Sequence, residues 1–264
     1  MTVHLLPGAE PFLSPGRGER ARTGVLVVHG LTSTPQTVRP IFADLAALGY
    51  AVSAPLLPGH GTSVADLART RYDDWFGAVE AAAADLRSGV DRLVAVGLSL
   101  GGALVAELAA RHPEQVYGLV LVNPAFTATD PRLKVLPLLK YVVPSLAGLG
   151  NDIRKPGGDA EIAYDRLPLK AFASFVSHWP HLQDLLADVH QPVLLLRSAH
   201  DKVVPRRSAE VFFERVGSAD VREVVLPNSG HVATLDYDAA ELLRHTREFV
   251  ARLSGETTDT VERG

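Results

Sequence analysis

Three side chains in this sequence have the types, the order and the settings that covalent acyl transfer requires: Ser99, Asp201 and His231. Ser99 sits in Gly97-Leu98-Ser99-Leu100-Gly101, between the strand-like run Asp91-Arg92-Leu93-Val94-Ala95-Val96 and a helix-like run from Gly102 to Ala110. A strand-to-helix turn of this kind forces strained dihedrals on the serine, so that its Oγ projects above the sheet, and the small Gly97 and Gly101 leave room for it. The N–H of Leu100, at the start of the helix, faces the same space and can donate to a developing oxyanion. A serine hydroxyl is a poor nucleophile near neutral pH. His231 must take its proton and return it to the leaving group, and Asp201 must hold one histidine tautomer and stabilise the imidazolium.

Each of the three residues lies just past a strand, and in a parallel α/β sheet functional groups gather at that carboxyl edge. Asp201 follows the apolar run Gln191–Ser198, and His231 follows Val221–Leu226 through Pro227-Asn228-Ser229-Gly230. Other acids compete: Asp236 and Asp238 are near His231 in sequence, and Asp130 follows an earlier strand. Asp201 is preferred because it occupies the loop after the penultimate strand, while Asp236 and Asp238 are expected to cap the last helix.

The remaining elements supply the frame. Gly24–Val28 is apolar on both faces, as a central parallel strand is, and it ends in His29-Gly30-Leu31-Thr32-Ser33-Thr34 before a helix from Pro35 or Thr37 to Leu48. The loop after this strand is expected to supply the second oxyanion donor, the N–H of Leu31, with Gly30 allowing close approach and His29 in a structural role. Tyr50–Pro55 reads as a strand, Gly59-His60-Gly61-Thr62-Ser63 as a tight loop braced by His60, Tyr72–Leu86 as a helix and Val116–Val122 as a strand. Strand and helix alternate, which specifies an α/β fold with a doubly wound, mostly parallel sheet. The alternation fails between Asn123 and about Asp188. Short helical pieces broken by Pro137, Pro144 and several glycines are expected there, forming a lid with an apolar underside suited to an acyl chain. The expected organisation is a core of 1–123 and 189–253, a helical lid over 124–188 inserted after a central strand, and a flexible tail over 254–264.

The 264 residues carry a net charge of −4, 47% apolar and 21% charged residues, and no cysteine. That balance fits one globular α/β domain and gives no long-range attraction for nucleic acid. The absence of cysteine removes disulfides, thiolate metal sites and a cysteine nucleophile. The start of the chain has no basic segment followed by a long apolar one, so a cytoplasmic protein is expected. The remaining histidines, His112, His178, His181, His190, His200 and His245, show no pairing at metal-ligand spacing, and no metal or cofactor is expected.

Four stretches resemble the bacterial carboxylesterases and monoacylglycerol lipases of the α/β-hydrolase superfamily. They are Val28-His29-Gly30-Leu31-Thr32-Ser33-Thr34-Pro35, Pro58-Gly59-His60-Gly61-Thr62, Gly97-Leu98-Ser99-Leu100-Gly101-Gly102 and Asn228-Ser229-Gly230-His231 continuing to Asp238. Gly150-Asn151-Asp152-Ile153 and Glu161-Ile162-Ala163-Tyr164 also match, in a region that closes over the glycerol end of the substrate in the lipases. Leu31 and Leu100 depart from the phenylalanine and methionine common there, which alters the pocket wall and leaves the N–H donors intact. The resemblance implies the α/β-hydrolase fold and cofactor-free hydrolysis of a monoacyl ester; Leu149 and Glu161 are the expected substrate contacts, Glu161 by the chemistry of its carboxylate. Glu161 is either a ligand for glycerol hydroxyls or a surface carboxylate. The lipid or small-molecule ester is the expected partner, with transient membrane or micelle contact through the lid. Rival readings stay open: a general short-chain carboxylesterase, a low-turnover ligand-binding relative, and C–C bond hydrolysis or perhydrolysis at the same site.

Overall fold

A strand that is apolar on both faces must be covered on both, and a parallel sheet between two helix layers does this. The computed structural model of the protein describes residues 4–148 and 150–255. In chain order the elements are β1 (Phe12–Ser14), β2 (Thr23–Val28), α1 (Arg39–Leu48), β3 (Ala51–Ala54), α2 (Val64–Leu67), α3 (Tyr72–Arg87), β4 (Arg92–Leu98), α4 (Leu100–Arg111) and β5 (Val116–Val122). There follow α5 (Leu136–Leu139), β6 (Ser145–Ala147), β7 (Arg166–Pro168) and α6 (Leu169–Leu185), and then β8 (Val193–Ser198), α7 (Arg207–Arg215), β9 (Val221–Leu226) and α8 (Ala239–Ser254).

The main sheet has the order β1-β3-β2-β4-β5-β8-β9. Only β1 runs antiparallel to its neighbour; every other pairing is parallel. The chain leaves β2 for β3 on one side and returns to β4 on the other, so the loops after β2 and β4 part around a crevice at the carboxyl edge. Side chains alternate along each strand and so feed two cores. Leu26, Ala95, Leu121 and Leu195 pack with α3, α4 and α6, while Val27, Val96, Val122 and Leu196 pack with α1 and α8.

The expected doubly wound sheet is therefore present, with several boundaries moved. The helix after Pro35 opens as a 3-10 turn over Pro35–Val38 before α1, and the last helix begins at Ala239 instead of Tyr237. Between Asn123 and Asp188 the expectation of short helical pieces is corrected. A 17-residue helix, α6, carries Pro180 in its interior, and a two-stranded antiparallel ribbon, β6 with β7, precedes it. A proline inside a helix removes one backbone hydrogen bond and is tolerated where packing holds the helix; Phe175, Trp179 and Leu182 of α6 are buried in the main core. Leu149 and most of the expected tail over 254–264 lie outside the described residues. Among the described residues no helix is long and apolar enough to cross a membrane.

Close approach of backbones fixes the crossing of β4 and α4 over β2. A methyl group at Gly97 would sit 2.2 Å from the Gly101 carbonyl oxygen, and one at Gly101 would sit 2.2 Å from that of Val28. Gly77, on the exposed side of α3, has open space around it. The substitution Gly101→Ala should therefore cost about 3 kcal/mol or more by overpacking, whereas Gly77→Ala should stabilise by up to about 1 kcal/mol through helix propensity. Urea unfolding of both variants checks this, and equal effects would contradict it.

Candidate active site

Ser99 joins β4 to α4 with φ 56° and ψ −117°, a conformation that a non-glycine residue holds only when its surroundings enforce it. Its own N–H donates to the Val122 carbonyl and its carbonyl accepts from Ala125, at 3.0 and 3.2 Å, which fastens the turn to the end of β5. The serine side chain faces the loop after β2: a methyl group on Gly30 would lie 3.4 Å from the Ser99 Cβ and 3.9 Å from its Oγ. Among the described residues, neither the Leu31 N–H nor the Leu100 N–H donates to a protein acceptor. Leu100 is the first residue of α4, so the positive end of a twelve-residue helix adds to its N–H.

The loop that carries Leu31 is held rigidly. Thr32, at φ 65°, donates through its hydroxyl to the Leu31 carbonyl at 2.6 Å, and its own carbonyl accepts from Tyr164 at 2.9 Å. His29 is buried beneath the loop: its Nε2 accepts from the Leu57 N–H at 3.2 Å, so its Nδ1 carries the proton and donates to the Gly30 carbonyl at 2.9 Å. Burial, with His60 nearby, pushes His29 down to about 3, and burial pushes His60 down to about 4. Both rings are neutral at neutral pH and neither reaches the crevice as a base. His60 braces its loop as expected, bonding through Nδ1 to Pro58 and packing edge-on against His29 and Trp75.

Asp201 and His231 are in direct contact. His231 Nδ1 lies 2.8 Å from Asp201 Oδ2, which places the proton on Nδ1 and leaves the Nε2 lone pair free. The other Asp201 oxygen accepts from the N–H groups of Val203 and Val204, each at 2.8 Å. Burial lowers the His231 pKa, but the carboxylates of Asp201, Glu161 and Asp152 outweigh it and hold the pKa above 6.5. No hydrogen bond joins Ser99 Oγ to His231 Nε2; without substrate such bonds are often long. Asn123 relates the two ends of the site. It follows β5 at φ 44°, accepts from Ser198 N–H at 2.7 Å, and donates to Ser198 Oγ at 3.0 Å and to the His231 carbonyl at 2.8 Å.

Of the competing acids, Asp130 binds Arg132 on an exposed turn. Asp236 and Asp238 do not cap α8 with their side chains, which corrects the expectation for them. Asp236 accepts from the N–H groups of Gly230, Arg154, Lys155 and Tyr237, and Asp238 from Asn228 and from Ser229 Oγ. Both brace the loop that ends in His231. Glu161 lies near enough to His231 to act on its charge, and its Oε2 accepts from Asn151 N–H at 2.8 Å. Asn123 is not among the site residues expected from the sequence, and Asp152 enters there only as part of the matching stretch Gly150–Ile153, with no role of its own. The available signal for Asn123 was a polar residue closing an apolar strand at the carboxyl edge.

The expectation about histidine spacing is also corrected. His178 and His181, three residues apart on α6, lie with Glu107 of α4 so that one ligand atom from each falls within 4.8 Å of the others. Arg111 is ion-paired with Glu107 and 3.4 Å from His181 Nε2, and Tyr72 donates to the same carboxylate at 2.7 Å. The guanidinium neutralises the buried carboxylate, and the group ties α3, α4 and α6 together.

Residues 19–238 match the family model Hydrolase_4, described as Serine aminopeptidase, S33. The chain is 35% identical over 256 residues to a thermostable monoacylglycerol lipase of Bacillus sp. (strain H-257), covering 95% of this chain and 98% of that one. It is 27% identical over 252 residues to a carboxylesterase of Bacillus subtilis (strain 168), covering 92% and 97%. A solved structure from LipS and LipT, two metagenome-derived lipolytic enzymes, superposes with a TM-score of 0.89 at 36% identity, covering 94% of this chain and all of that one. A monoacylglycerol lipase of Paleococcus ferrophilus shares the fold, with a TM-score of 0.73 at 22% identity over 94% of this chain and 98% of that one.

The two buried histidines make the stability depend on pH with a definite sign. Their folded-state pKa values are depressed, so the unfolded chain binds more protons below 6.5, and stability falls as pH falls through 6.5. His231, whose pKa is raised, acts in the opposite direction, so a difference between variants isolates the effect. His60→Phe, which keeps the ring stack, should flatten the loss of unfolding free energy between about pH 7.5 and about pH 5 by about 2 kcal/mol. Urea titrations at both pH values test this, and an unchanged slope would contradict it.

Proposed function

The chain belongs to the α/β-hydrolase family described as Serine aminopeptidase, S33, and from that premise we propose that it cleaves monoacylglycerols to glycerol and fatty acid through an acyl-enzyme on Ser99. It has the α/β-hydrolase fold and is a hydrolase acting on carboxylic esters. The narrower choice of monoacylglycerol draws support from the Bacillus lipase, which is 35% identical over nearly the whole of both chains.

In the proposed reaction Ser99 Oγ attacks the ester carbonyl while His231 Nε2 takes its proton. The resulting oxyanion lies between the N–H groups of Leu31 and Leu100. His231 returns the proton to the departing glycerol oxygen, and Asp201 stabilises the imidazolium meanwhile. Water, deprotonated by the same histidine, then attacks the acyl-serine and releases the fatty acid. The observation that carries this reading is the 2.8 Å contact between His231 Nδ1 and Asp201 Oδ2, which leaves Nε2 as a base at the carboxyl edge that also holds Ser99. Glu161, already beside His231, receives the glycerol hydroxyls.

Residues 124–188 act as the lid of this site. Its apolar residues fall into three sets: Phe175, Trp179 and Leu182 join the main core, Leu136, Leu169 and Ala173 form a small cluster of their own, and Leu138, Tyr141 and Val142 are each more than 70% exposed. Lys134 and Lys140 accompany that exposed strip, and no acidic residue occurs between Pro131 and Asn151. An apolar strip with cations suits transient contact with a lipid surface or micelle. The enzyme works in the cytoplasm on this reading, as its cysteine-free composition supports.

One set of assays tests the substrate. Wild-type protein should hydrolyse monoacylglycerols faster than methyl esters of the same acids, and Ser99→Ala should lower kcat at least about a thousandfold. Glu161→Gln should raise KM for monoacylglycerol about tenfold, the worth of one hydrogen bond to a charged acceptor, while leaving the KM for an aryl ester unchanged. Activity confined to short aryl esters would make the protein a general carboxylesterase.

A further inference from the structure

We propose that Asp152 is a positioning residue for this reaction, its carboxylate clamping the loop that carries Asp201 to the loop that carries His231. The proposal rests on the Ser99-Asp201-His231 reading and extends it to a residue outside the three. One oxygen of Asp152, Oδ2, accepts from two backbones at once: the N–H of Lys202 at 2.8 Å and the N–H of His231 at 2.9 Å. Lys202 is the neighbour of Asp201, so the shared acceptor ties the backbone beside the acid to that of the base. The Asp152 carbonyl also accepts from Val232 N–H at 3.2 Å.

A direct bond joins the two catalytic loops, from the His200 N–H to the Ser229 carbonyl at 3.3 Å, longer than either bond to the Asp152 carboxylate. The acid loop closes on its own carboxylate through Val203 and Val204, and the base loop follows a different strand, β9. Asp152 comes from a third segment, which is tethered in turn: Asp236 accepts from Arg154 and Lys155, and Arg154 Nη1 donates to the Asn228 carbonyl at 2.7 Å. The fit is close. A methyl group at Gly230 would stand 2.5 Å from the Asp152 carbonyl oxygen, so glycine at that position is what lets the inserted segment reach the base loop.

The charge of Asp152 separates this role from simple loop packing. The charged groups on the segments bonded around His231 are Asp201 and Lys202 on the acid loop, Asp152, Arg154, Lys155 and Glu161 on the inserted segment, and Asp236 and Asp238 behind the base loop; of these, Asp201, Glu161 and Asp152 act on its charge. Asp152 is one of three carboxylates that favour the imidazolium. Replacing it by asparagine keeps an oxygen able to accept both N–H groups and removes the negative charge. Replacing it by alanine removes the shared acceptor and leaves two N–H groups unpaired.

The test measures kcat, KM and the pH profile of kcat/KM for a soluble aryl ester in wild type, Asp152→Ala, Asp152→Asn and Ser99→Ala. Asp152→Ala should lower kcat about a hundredfold, the cost of a catalytic group misplaced by about 1 Å, with KM nearly unchanged. Asp152→Asn should recover most of kcat and shift the acid limb of kcat/KM to lower pH, because His231 loses a neighbouring negative charge. Wild-type kcat in Asp152→Ala, or an acid limb in Asp152→Asn that stays where wild type has it, would overturn the proposal. The asparagine profile decides the matter if the alanine variant fails to fold. Hydrolysis that persists in Ser99→Ala would instead overturn the underlying catalytic reading.

Discussion

Four carboxylates hold residues 228–231, and the chemistry proposed for this protein depends on that arrangement. Asp238 receives the N–H of Asn228 and the hydroxyl of Ser229, Asp236 the N–H of Gly230, Asp152 the N–H of His231, and Asp201 its ring. A histidine past the last strand of a sheet has strand pairing on one side only, so packing alone positions it poorly. Bonds from N–H to an ionised acceptor are stronger and more directional than neutral ones. They turn the loop into a fixed mount, and two of the four carboxylates, Asp201 and Asp152, also favour the imidazolium that proton transfer creates.

The nucleophile is placed by a different force. Ser99 is held in its strained conformation by exclusion: the backbones of β2, β4 and α4 pass so close that a single methyl at Gly97 or Gly101 would collide with a carbonyl. The strain is sustained by the sheet, whose central strands are buried on both faces. Asn123 joins the two systems, since it leaves β5 beside the Ser99 turn and donates to the His231 carbonyl. Steric closure on one side of the crevice and charge-assisted bonding on the other thus meet through one amide side chain.

Much of this was legible in the sequence because strand runs and glycine turns are local signals. The runs ending at Val28, Val122, Ser198 and Leu226 end as strands there, and the three candidate catalytic residues emerge at the same edge. What stayed hidden was non-local. Asp236 and Asp238 look like helix caps because they precede a helix, yet their side chains turn back six to ten residues to satisfy another loop, a choice set by tertiary proximity. Asp152 lies about 80 residues from His231 in sequence, and nothing in its neighbourhood announces the contact. Pro180 and the glycines around 148–158 masked α6 and the β6–β7 ribbon, since packing against the core overrides a weak local propensity.

The claim at the centre of this account is that Ser99 is a nucleophile activated by His231. Incubation with an aryl fluorophosphonate, followed by mass spectrometry of the intact protein and of its peptides, tests it without any assumption about the natural ester. One phosphonyl adduct on the peptide that contains Ser99, formed rapidly in wild type and at least about a hundredfold more slowly in His231→Ala, is the expected result. An adduct on another residue, or equal labelling rates in the two proteins, would contradict it.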